Sequence, residues 1–192
     1  MDKPTGNLTQ KDLESLTRLV AIGRNLTDLT GLQYATNLTT LYLGNNKIAN
    51  LGPLSNLKKL RNLNLNGNLI ENVQPLASLI QLKQLALDHN KITDITSLKT
   101  LKNLRGVTFN FNRIKSITVA SHWQKLIYFN MAFNQLNNLA PLSNLVTLRG
   151  IWVPDNQITS IQELKKLTQL EILILEKNKN LKRFGSFQPL RG

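Results

Sequence analysis

The sequence predicts an α/β solenoid, a horseshoe of stacked repeats with a concave parallel β-sheet and short 3₁₀ turns on its convex side. Three observations predict this fold. Leucine is strongly over-represented among the 192 residues, and similar segments recur at a constant spacing, since Leu16 and Leu38 open two of them and 38 − 16 = 22. Within a segment, the spacing of apolar residues changes from two to three. A fixed period of this length is the signature of a repeat array.

Eight segments share this period, and they begin at Leu16, Leu38, Leu60, Leu82, Leu104, Leu126, Leu148 and Leu170. The first segment has Arg24 at its ninth position. The others have an asparagine there: Asn46, Asn68, Asn90, Asn112, Asn134, Asn156 and Asn178. The segments therefore match the leucine-rich-repeat pattern L-x-x-L-x-L-x-x-N-x-I/L. We expect these amides to point inward and to satisfy backbone groups where each strand turns away from the sheet.

The spacing within one segment predicts its local structure. Leu41 and Leu43 are two residues apart, so both side chains point to one side of a short β-strand. The later apolar residues Ile48, Leu51 and Leu54 are three apart, which favours 3₁₀ turns over an α-helix. Parallel strands stacked about 4.8 Å apart would then form a curved sheet, with the apolar residues sealed between sheet and turns.

The chain divides into a short N-terminal segment and one domain of eight repeats at residues 16–192. We interpret residues 1–15 as the remnant of an N-terminal cap helix, because Thr9 followed by Asp12 predicts a helix N-cap. We expect Leu13 and Leu16 to face the array. The last repeat continues through residues 178–190, where one inserted residue restores the apolar spacing.

The composition and the motifs argue against an enzyme. Without cysteine the chain has no disulfide and no thiolate, and its two histidines, His89 and His122, lie in different repeats. Asp88 and His89 are interpreted as a solvated loop pair. The sequence contains no phosphate-binding loop, HExxH motif or calcium loop, and no apolar run approaches the roughly 18 residues of a membrane span. We therefore predict no catalysis, no cofactor, no metal, no small-molecule substrate and no membrane insertion.

Strand residues between the buried leucines point across the concave face, where repeat proteins place ligand contacts. Tyr128 and Trp152 have no core to enter at these positions. For Phe111 and Phe133, at the eighth position of adjacent repeats, two locations stay open: this exposed patch, or a buried ladder in the loops that follow the strands. The candidate aromatic and apolar ligand contacts are Tyr42, Phe111, Tyr128, Phe133, Trp152, Ile172 and Ile174.

Basic residues add a second candidate feature. Lys and Arg outnumber Asp and Glu by 24 − 11 = 13. The second position of several strands carries a basic line, Arg61, Lys83, Arg105 and Arg149, which is interrupted by Ile127. Such a line would meet an acidic partner and accelerate association more than it would add specificity. Most other lysines fall on turns and on the convex side, where a solvated face is the simpler interpretation.

The 22-residue repeats with inward asparagines, together with residues 3–17 followed by residues 25–39, resemble bacterial leucine-rich-repeat surface proteins of the internalin type. The similarity covers nearly the whole chain, and the two stretches resemble the junction between cap and first repeat in that family. The resemblance implies a protein ligand, including a host-cell surface protein, and an extracellular or bacterial cell-surface location. Because residues 1–6 lack the apolar segment of a secretory signal, we expect an ectodomain fragment whose signal has been removed, or an engineered array.

Three functions follow as hypotheses. The leading one is a non-enzymatic protein-recognition module whose concave face binds a protein. The second is electrostatic binding of an anionic polymer such as a sulfated glycan, a cell-wall polymer or nucleic acid, although the sequence carries no nucleic-acid fold signature. The third is an engineered scaffold without a natural ligand. Irregular repeats such as Leu126–Met131 argue against a consensus design.

Overall fold

The computed structural model describes residues 9–181. A short helix, α1 (Gln10–Glu14), precedes eight strands: β1 Arg18–Val20, β2 Thr40–Tyr42, β3 Asn62–Asn64, β4 Gln84–Ala86, β5 Gly106–Thr108, β6 Tyr128–Asn130, β7 Gly150–Trp152 and β8 Ile172–Ile174. A 3₁₀ helix lies between each pair of consecutive strands: Leu32–Tyr34, Gly52–Leu54, Gln74–Ser78, Thr96–Thr100, Thr118–His122, Ala140–Leu142 and Gln162–Lys166. The interpretations of residues 1–8 and of the last repeat at residues 182–192 lie outside the described residues.

The eight strands form one parallel sheet in sequence order. Each residue pairs with the residue one period later, as in Leu41↔Leu63 and Leu63↔Leu85. Side chains that occupy the same repeat position are therefore stacked in columns along the solenoid. This arrangement, with 3₁₀ turns on the other side, confirms the predicted leucine-rich-repeat horseshoe.

The core is a continuous apolar column between the sheet and the 3₁₀ layer. Its leucines and isoleucines are almost fully buried through the middle repeats, for example Leu63 on the sheet side and Leu54 on the turn side. The central repeats also bury larger side chains, and Trp123, Phe109 and Phe129 are 0% exposed. Trp123 occupies a column that holds leucine in neighbouring repeats, and its indole N–H donates to the Leu98 carbonyl at 3.1 Å. That bond satisfies the one polar group the larger ring brings into the core.

The ninth-position asparagines form an internal ladder that joins consecutive repeats. Asn68 Nδ2 donates to the Leu43 carbonyl of the preceding repeat at 3.0 Å and to the Leu65 carbonyl of its own turn at 2.9 Å. Asn68 Oδ1 accepts the Ile48 N–H at 3.0 Å. The same bonds recur around Asn90, Asn112, Asn134 and Asn156, all of which are buried. The predicted inward orientation is confirmed.

Helix α1 covers the N-terminal end of the described array. Thr9 is its N-cap, because the Asp12 N–H donates to Thr9 Oγ1 at 3.2 Å and the Thr9 N–H donates to Asp12 Oδ2 at 3.0 Å. This reciprocal capping box confirms the predicted helix start. Leu13 and Leu16 pack against the core as expected. None of the helices among residues 9–181 is long and apolar enough to cross a membrane.

The asparagine ladder generates the first prediction. We expect Asn90→Ala to lower the free energy of unfolding by about 2–4 kcal/mol, because buried backbone groups would lose their partners. Asn90 Nδ2 now donates to the Leu65 and Leu87 carbonyls, and Asn90 Oδ1 accepts the Ile70 N–H. Urea unfolding followed by circular dichroism measures the loss. The exposed Asn137→Ala is the control, and an equally small effect of both substitutions would contradict the role given to the ladder.

Candidate functional site

The concave face contains a trough of about 530 Å³, which we call the concave trough. It crosses the middle strands of the sheet. Its lining comprises Tyr42, Asn62, Leu63, Asn64, Gln84, Leu85, Ala86, Gly106, Val107, Thr108, Tyr128, Asn130 and Trp152. Polar amides and small residues form its central part, and aromatic rings stand at both ends.

The shape of the trough follows from which side chains occupy neighbouring strands. Tyr42 stands on β2 and Tyr128 on β6, four strand spacings away, or roughly 19 Å at about 4.8 Å each. Between them, β4 and β5 present Ala86 and Gly106, which reach only a short distance above the sheet. Large residues at both ends and small residues in the middle leave a hollow in an otherwise even surface.

Tyr128 and Trp152 form the C-terminal end of the trough. Their ring centroids are 6.1 Å apart and the ring planes are tilted by 51°. Gly150 lies beside both residues in the sheet, and a Cβ added there would collide with the Trp152 ring and lie 3.2 Å from Tyr128 Cδ1. The absent side chain of Gly150 therefore lets the indole lie across the strand. This role was not predicted, although a glycine paired with Tyr128 in the register and two residues before Trp152 was the available signal.

Arg18 joins the other end of the trough, which sequence reasoning also missed. Its guanidinium carbon lies 5.2 Å from the centroid of the Tyr42 ring, a cation–π contact between β1 and β2. Such contacts are worth about 0.5–1 kcal/mol at exposed sites. The contact steadies the Tyr42 ring and places a positive charge at this end.

The remaining predicted contacts lie outside the trough lining. Ile172 and Ile174 sit on β8, beyond Trp152, where Ile172 is exposed and Ile174 is half-buried. The basic line is exposed along the start of the strands. Arg149 in this line pairs with Glu171 at 3.1 Å, whereas Arg61, Lys83 and Arg105 make no ion pair with any of residues 9–181. The unpaired part of the line therefore borders β3, β4 and β5, beside the trough.

Phe111 and Phe133 lie in the turns that follow the strands and do not line the trough. With His89 they form three consecutive rings, which we call the strand-exit stack. The ring centroids of His89 and Phe111 are 4.1 Å apart, as are those of Phe111 and Phe133, and the planes are tilted by 12° and 11°. Phe111 is 42% exposed and Phe133 is 39% exposed. They are neither buried as a ladder nor joined to Tyr128 and Trp152.

The backbone at this repeat position is left-handed throughout the array. The φ angles lie between 52° and 65° at Gly23, Asn45, Gly67, His89, Phe111, Phe133, Asp155 and Lys177. Glycine and asparagine adopt this conformation easily, whereas for most other residues it costs about 1–2 kcal/mol. A stacked aromatic pair returns about 0.5–1.5 kcal/mol. Its two ring contacts return about 1–3 kcal/mol against about 3–6 kcal/mol of strain in three residues, so stacking offsets only part of the strain.

Asp88 belongs to a second ladder, one position before the stack. Asn66 Oδ1 accepts the Asp88 N–H, Asp88 Oδ1 accepts the Asn110 N–H, and Asn110 Oδ1 accepts the Ala132 N–H, each at 2.7 Å. Burial raises the pKa of the Asp88 carboxyl, and the Asn110 N–H, the Thr108 hydroxyl and the charge of His89 oppose this rise. Of the solvated loop pair expected from the sequence, His89 is exposed, whereas Asp88 is half-buried and accepts the Asn110 N–H. Asp88 has a structural position and His89 is stacked on Phe111.

The described part of the chain offers little for metal or acid–base chemistry. Among residues 9–181, no three His, Cys, Asp or Glu side chains come together in a group that could hold a metal ion. His122 lies in a 3₁₀ helix on the convex side, far around the repeat from His89. The geometry instead offers two surface features, the concave trough and the strand-exit stack.

Comparison with known proteins agrees with this architecture. Residues 36–78 match the family described as leucine-rich repeats (2 copies). No curated protein matches the chain. Internalin C2 from Listeria monocytogenes is 37% identical with a TM-score of 0.86, and the match covers 88% of this chain and 75% of internalin C2.

Two further solved structures are similar. An internalin of Listeria monocytogenes, inlF, is 26% identical with a TM-score of 0.56, over 88% of this chain and 69% of inlF. The leucine-rich-repeat ectodomain of the plant receptor kinase GASSHO1/SCHENGEN3 from Arabidopsis thaliana is 23% identical with a TM-score of 0.74, over 88% of this chain and 22% of that chain. The plant match supports the fold alone.

Asp88 generates a prediction about pH. Because burial raises its folded pKa, the ionised carboxylate destabilises the folded state at neutral pH, and this penalty disappears as pH falls through the folded pKa. Asp88→Asn keeps the acceptor for the Asn110 N–H without the charge. We expect this variant to melt above the parent at pH 7, with a difference that shrinks as pH approaches the usual aspartate value of 3.8.

Asp28 provides a control with the opposite sign. Hydrogen bonds from the Thr30 hydroxyl and backbone lower the pKa of Asp28, so its ionised form stabilises the fold and that contribution is lost as pH falls. Asp28→Asn should therefore melt at or below the parent at pH 7. Calorimetry across the pH range gives both differences. A pH-independent difference for Asp88→Asn would contradict the assignment of a raised pKa.

The energetics of the strand-exit stack give a further prediction. We expect Phe111→Asn to change the free energy of unfolding by less than about 1 kcal/mol, since relief of strain and loss of stacking nearly cancel. Phe109, two residues earlier, is fully buried, and Phe109→Ala should cost about 3–5 kcal/mol. Urea unfolding of both variants tests this contrast. A loss at Phe111 as large as that at Phe109 would show that the stack is part of the core.

Proposed function

This chain belongs to the internalin family of leucine-rich-repeat proteins, and from that premise we propose that its concave face binds a protein ligand. The observation that carries the proposal is the concave trough with aromatic rings at both ends. Tryptophan and tyrosine dominate the binding energy of protein interfaces. Their position on a rigid sheet, away from the core, leaves them available to a partner.

The C-terminal end of the trough supports this function most strongly. Tyr128 is 47% exposed, and the Trp152 ring is held across Gly150 against Tyr128. Both rings are positioned by strands whose opposite faces are buried in the core. Because little conformational freedom remains to be lost, such preorganised rings gain affinity on binding. The amides in the middle of the trough would supply hydrogen bonds to the same ligand.

The unpaired basic residues beside the trough would steer an acidic protein towards it. Arg61, Lys83 and Arg105 lie immediately before the adjacent strands β3, β4 and β5 and make no ion pair among residues 9–181. Charges of this kind raise association rates and add less to specificity. The same residues favour a second candidate function, binding of an anionic polymer, whose affinity would fall steeply with salt.

The rest of the proposal depends on family membership. We assign the chain to the bacterial cell surface or the extracellular space, and its ligand to the proteins of a host-cell surface. Its activity is binding without catalysis, cofactor or metal. The repeat array at residues 16–192 acts as one recognition domain.

The trough generates the prediction for binding. The chain is immobilised in about 0.3 M salt, which screens long-range attraction, and proteins captured from a host-cell surface extract are identified by mass spectrometry. Affinity for the captured protein is then measured for the parent and for Trp152→Ala. We expect the substitution to cost at least about 2 kcal/mol, or roughly thirtyfold in Kd, while circular dichroism stays unchanged.

Two further variants sharpen this test. Ala86→Arg places a long side chain on the floor of the trough and should block binding, because Ala86 lines that floor. Ile80→Ala removes an exposed apolar side chain elsewhere, since Ile80 is 50% exposed on a turn, and should bind like the parent. Unchanged affinity in both trough variants would remove the trough from the interface. Material retained only at low salt would favour the polymer hypothesis.

A further inference from the structure

We propose that the strand-exit stack is a second binding surface, separate from the concave trough, and that it takes an acidic peptide segment with an aromatic side chain. The inference does not rest on the function assigned to the trough. Three observations support it: the exposed part of the rings, their backbone conformation, and the charges that surround them.

The exposed part of the stack is its ring edges. Phe111 has His89 on one face and Phe133 on the other, each with a centroid distance of 4.1 Å. Its 42% exposure therefore comes from the edge of the ring. Aromatic edges carry the positive part of the ring quadrupole, so they attract carboxylates and the faces of other aromatic rings. The outer edge of the stack is suited to a segment that contains both groups.

The backbone conformation shows that the fold alone does not favour these rings. Repeats two and three carry Asn45 and Gly67 at the same left-handed position, a conformation that both residue types adopt readily. Phe111 and Phe133 adopt that conformation without the burial that usually accompanies phenylalanine. Strained residues with exposed apolar surface cluster at binding sites. A partner that covers the ring edges would supply the burial that the folded chain lacks.

Two cationic residues that closely follow Phe111 in the sequence favour an acidic partner. Arg113 and Lys115, two and four residues after Phe111, line a hollow of about 300 Å³ together with Thr93 and Gln135. Both are exposed, and neither makes an ion pair with residues 9–181.

Other charged residues nearby have contacts within the chain. Lys177 lies 6.0 Å from the Phe133 ring centroid and 3.6 Å from Asp155 Oδ2. Lys91 reaches Glu71 only at 4.0 Å, with both side chains largely exposed. Asp88, next to His89, accepts the Asn110 N–H. Asp94, next to Thr93, accepts the Thr96 N–H and hydroxyl. The charged side chains that follow Phe111 directly, Arg113 and Lys115, are both cationic.

The same geometry favours a peptide over a nucleic acid. Single-stranded nucleic acids bind proteins by stacking bases on free aromatic faces. Both faces of Phe111 are covered within the stack. A peptide side chain can meet the ring edges while neighbouring carboxylates pair with Arg113 and Lys115.

The test uses the full chain and two labelled probes of equal length, a random copolymer of glutamate and tyrosine and a polyglutamate. Fluorescence anisotropy at about 0.15 M salt, where the screening length is about 8 Å, gives both affinities. We expect the parent to bind the copolymer at least about tenfold more tightly than polyglutamate, because only the copolymer offers aromatic rings to the stack. Phe111→Asn/Phe133→Asn should remove this preference, and Arg113→Gln/Lys115→Gln should weaken both probes.

Matched variants separate this surface from the rest of the chain. Ile80→Asn/Val146→Asn makes the same kind of change at apolar residues that are 50% and 54% exposed on turns before the strands, and it should leave both affinities within about twofold of the parent. Equal binding of both probes by the parent, or an unchanged preference in Phe111→Asn/Phe133→Asn, would overturn the proposal. Binding of duplex DNA in preference to the copolymer would overturn it as well.

Discussion

The amide of the ninth-position asparagine is the interaction on which the rest of the structure depends. Asn68 donates to carbonyls of its own repeat and of the preceding one, and accepts a backbone N–H of the preceding repeat. Each strand is only three residues long, so the sheet alone would hold consecutive repeats weakly. The ladder satisfies the buried backbone groups at each turn, where an unpaired group costs about 1–3 kcal/mol. It thereby holds every repeat in the same register.

Because of that register, residues at the same repeat position line up in columns along the surface. Leu41, Leu63 and Leu85 stack in the core because each pairs with the residue one period later. The exposed columns on either side obey the same rule but are free to vary, since folding does not depend on them. The concave trough exists because Ala86 lies in a column that carries Tyr42 and Trp152 towards its two ends, and Gly106 lies beside Tyr128 in the neighbouring column. The strand-exit stack exists because three consecutive repeats place a ring at one position.

The two surface features differ in their relation to stability. Tyr128 and Trp152 stand on strands in ordinary extended conformation, and Gly150 gives the indole room to lie flat. Phe111 and Phe133 stand on left-handed backbone that favours glycine or asparagine. The trough residues therefore add no left-handed backbone strain. In the strand-exit stack, contacts between the rings compensate for part of the strain. Asp88 is a similar compromise, since it replaces an asparagine-like acceptor with a carboxyl whose pKa is raised by burial.

The sequence by itself determined the repeat period, the strands, the 3₁₀ turns, the inward asparagines and the cap at Thr9, because each depends on local spacing and alternation along the chain. Tyr128 and Trp152 could be placed on the concave face for the same reason. Only the tertiary structure decided that Trp152 lies across Gly150, that Arg149 pairs with Glu171, and that Phe111 stacks between two rings at an exposed edge. These outcomes depend on side-chain directions and on neighbours one repeat away. Sequence spacing places such residues side by side, but it does not determine which faces of their side chains meet.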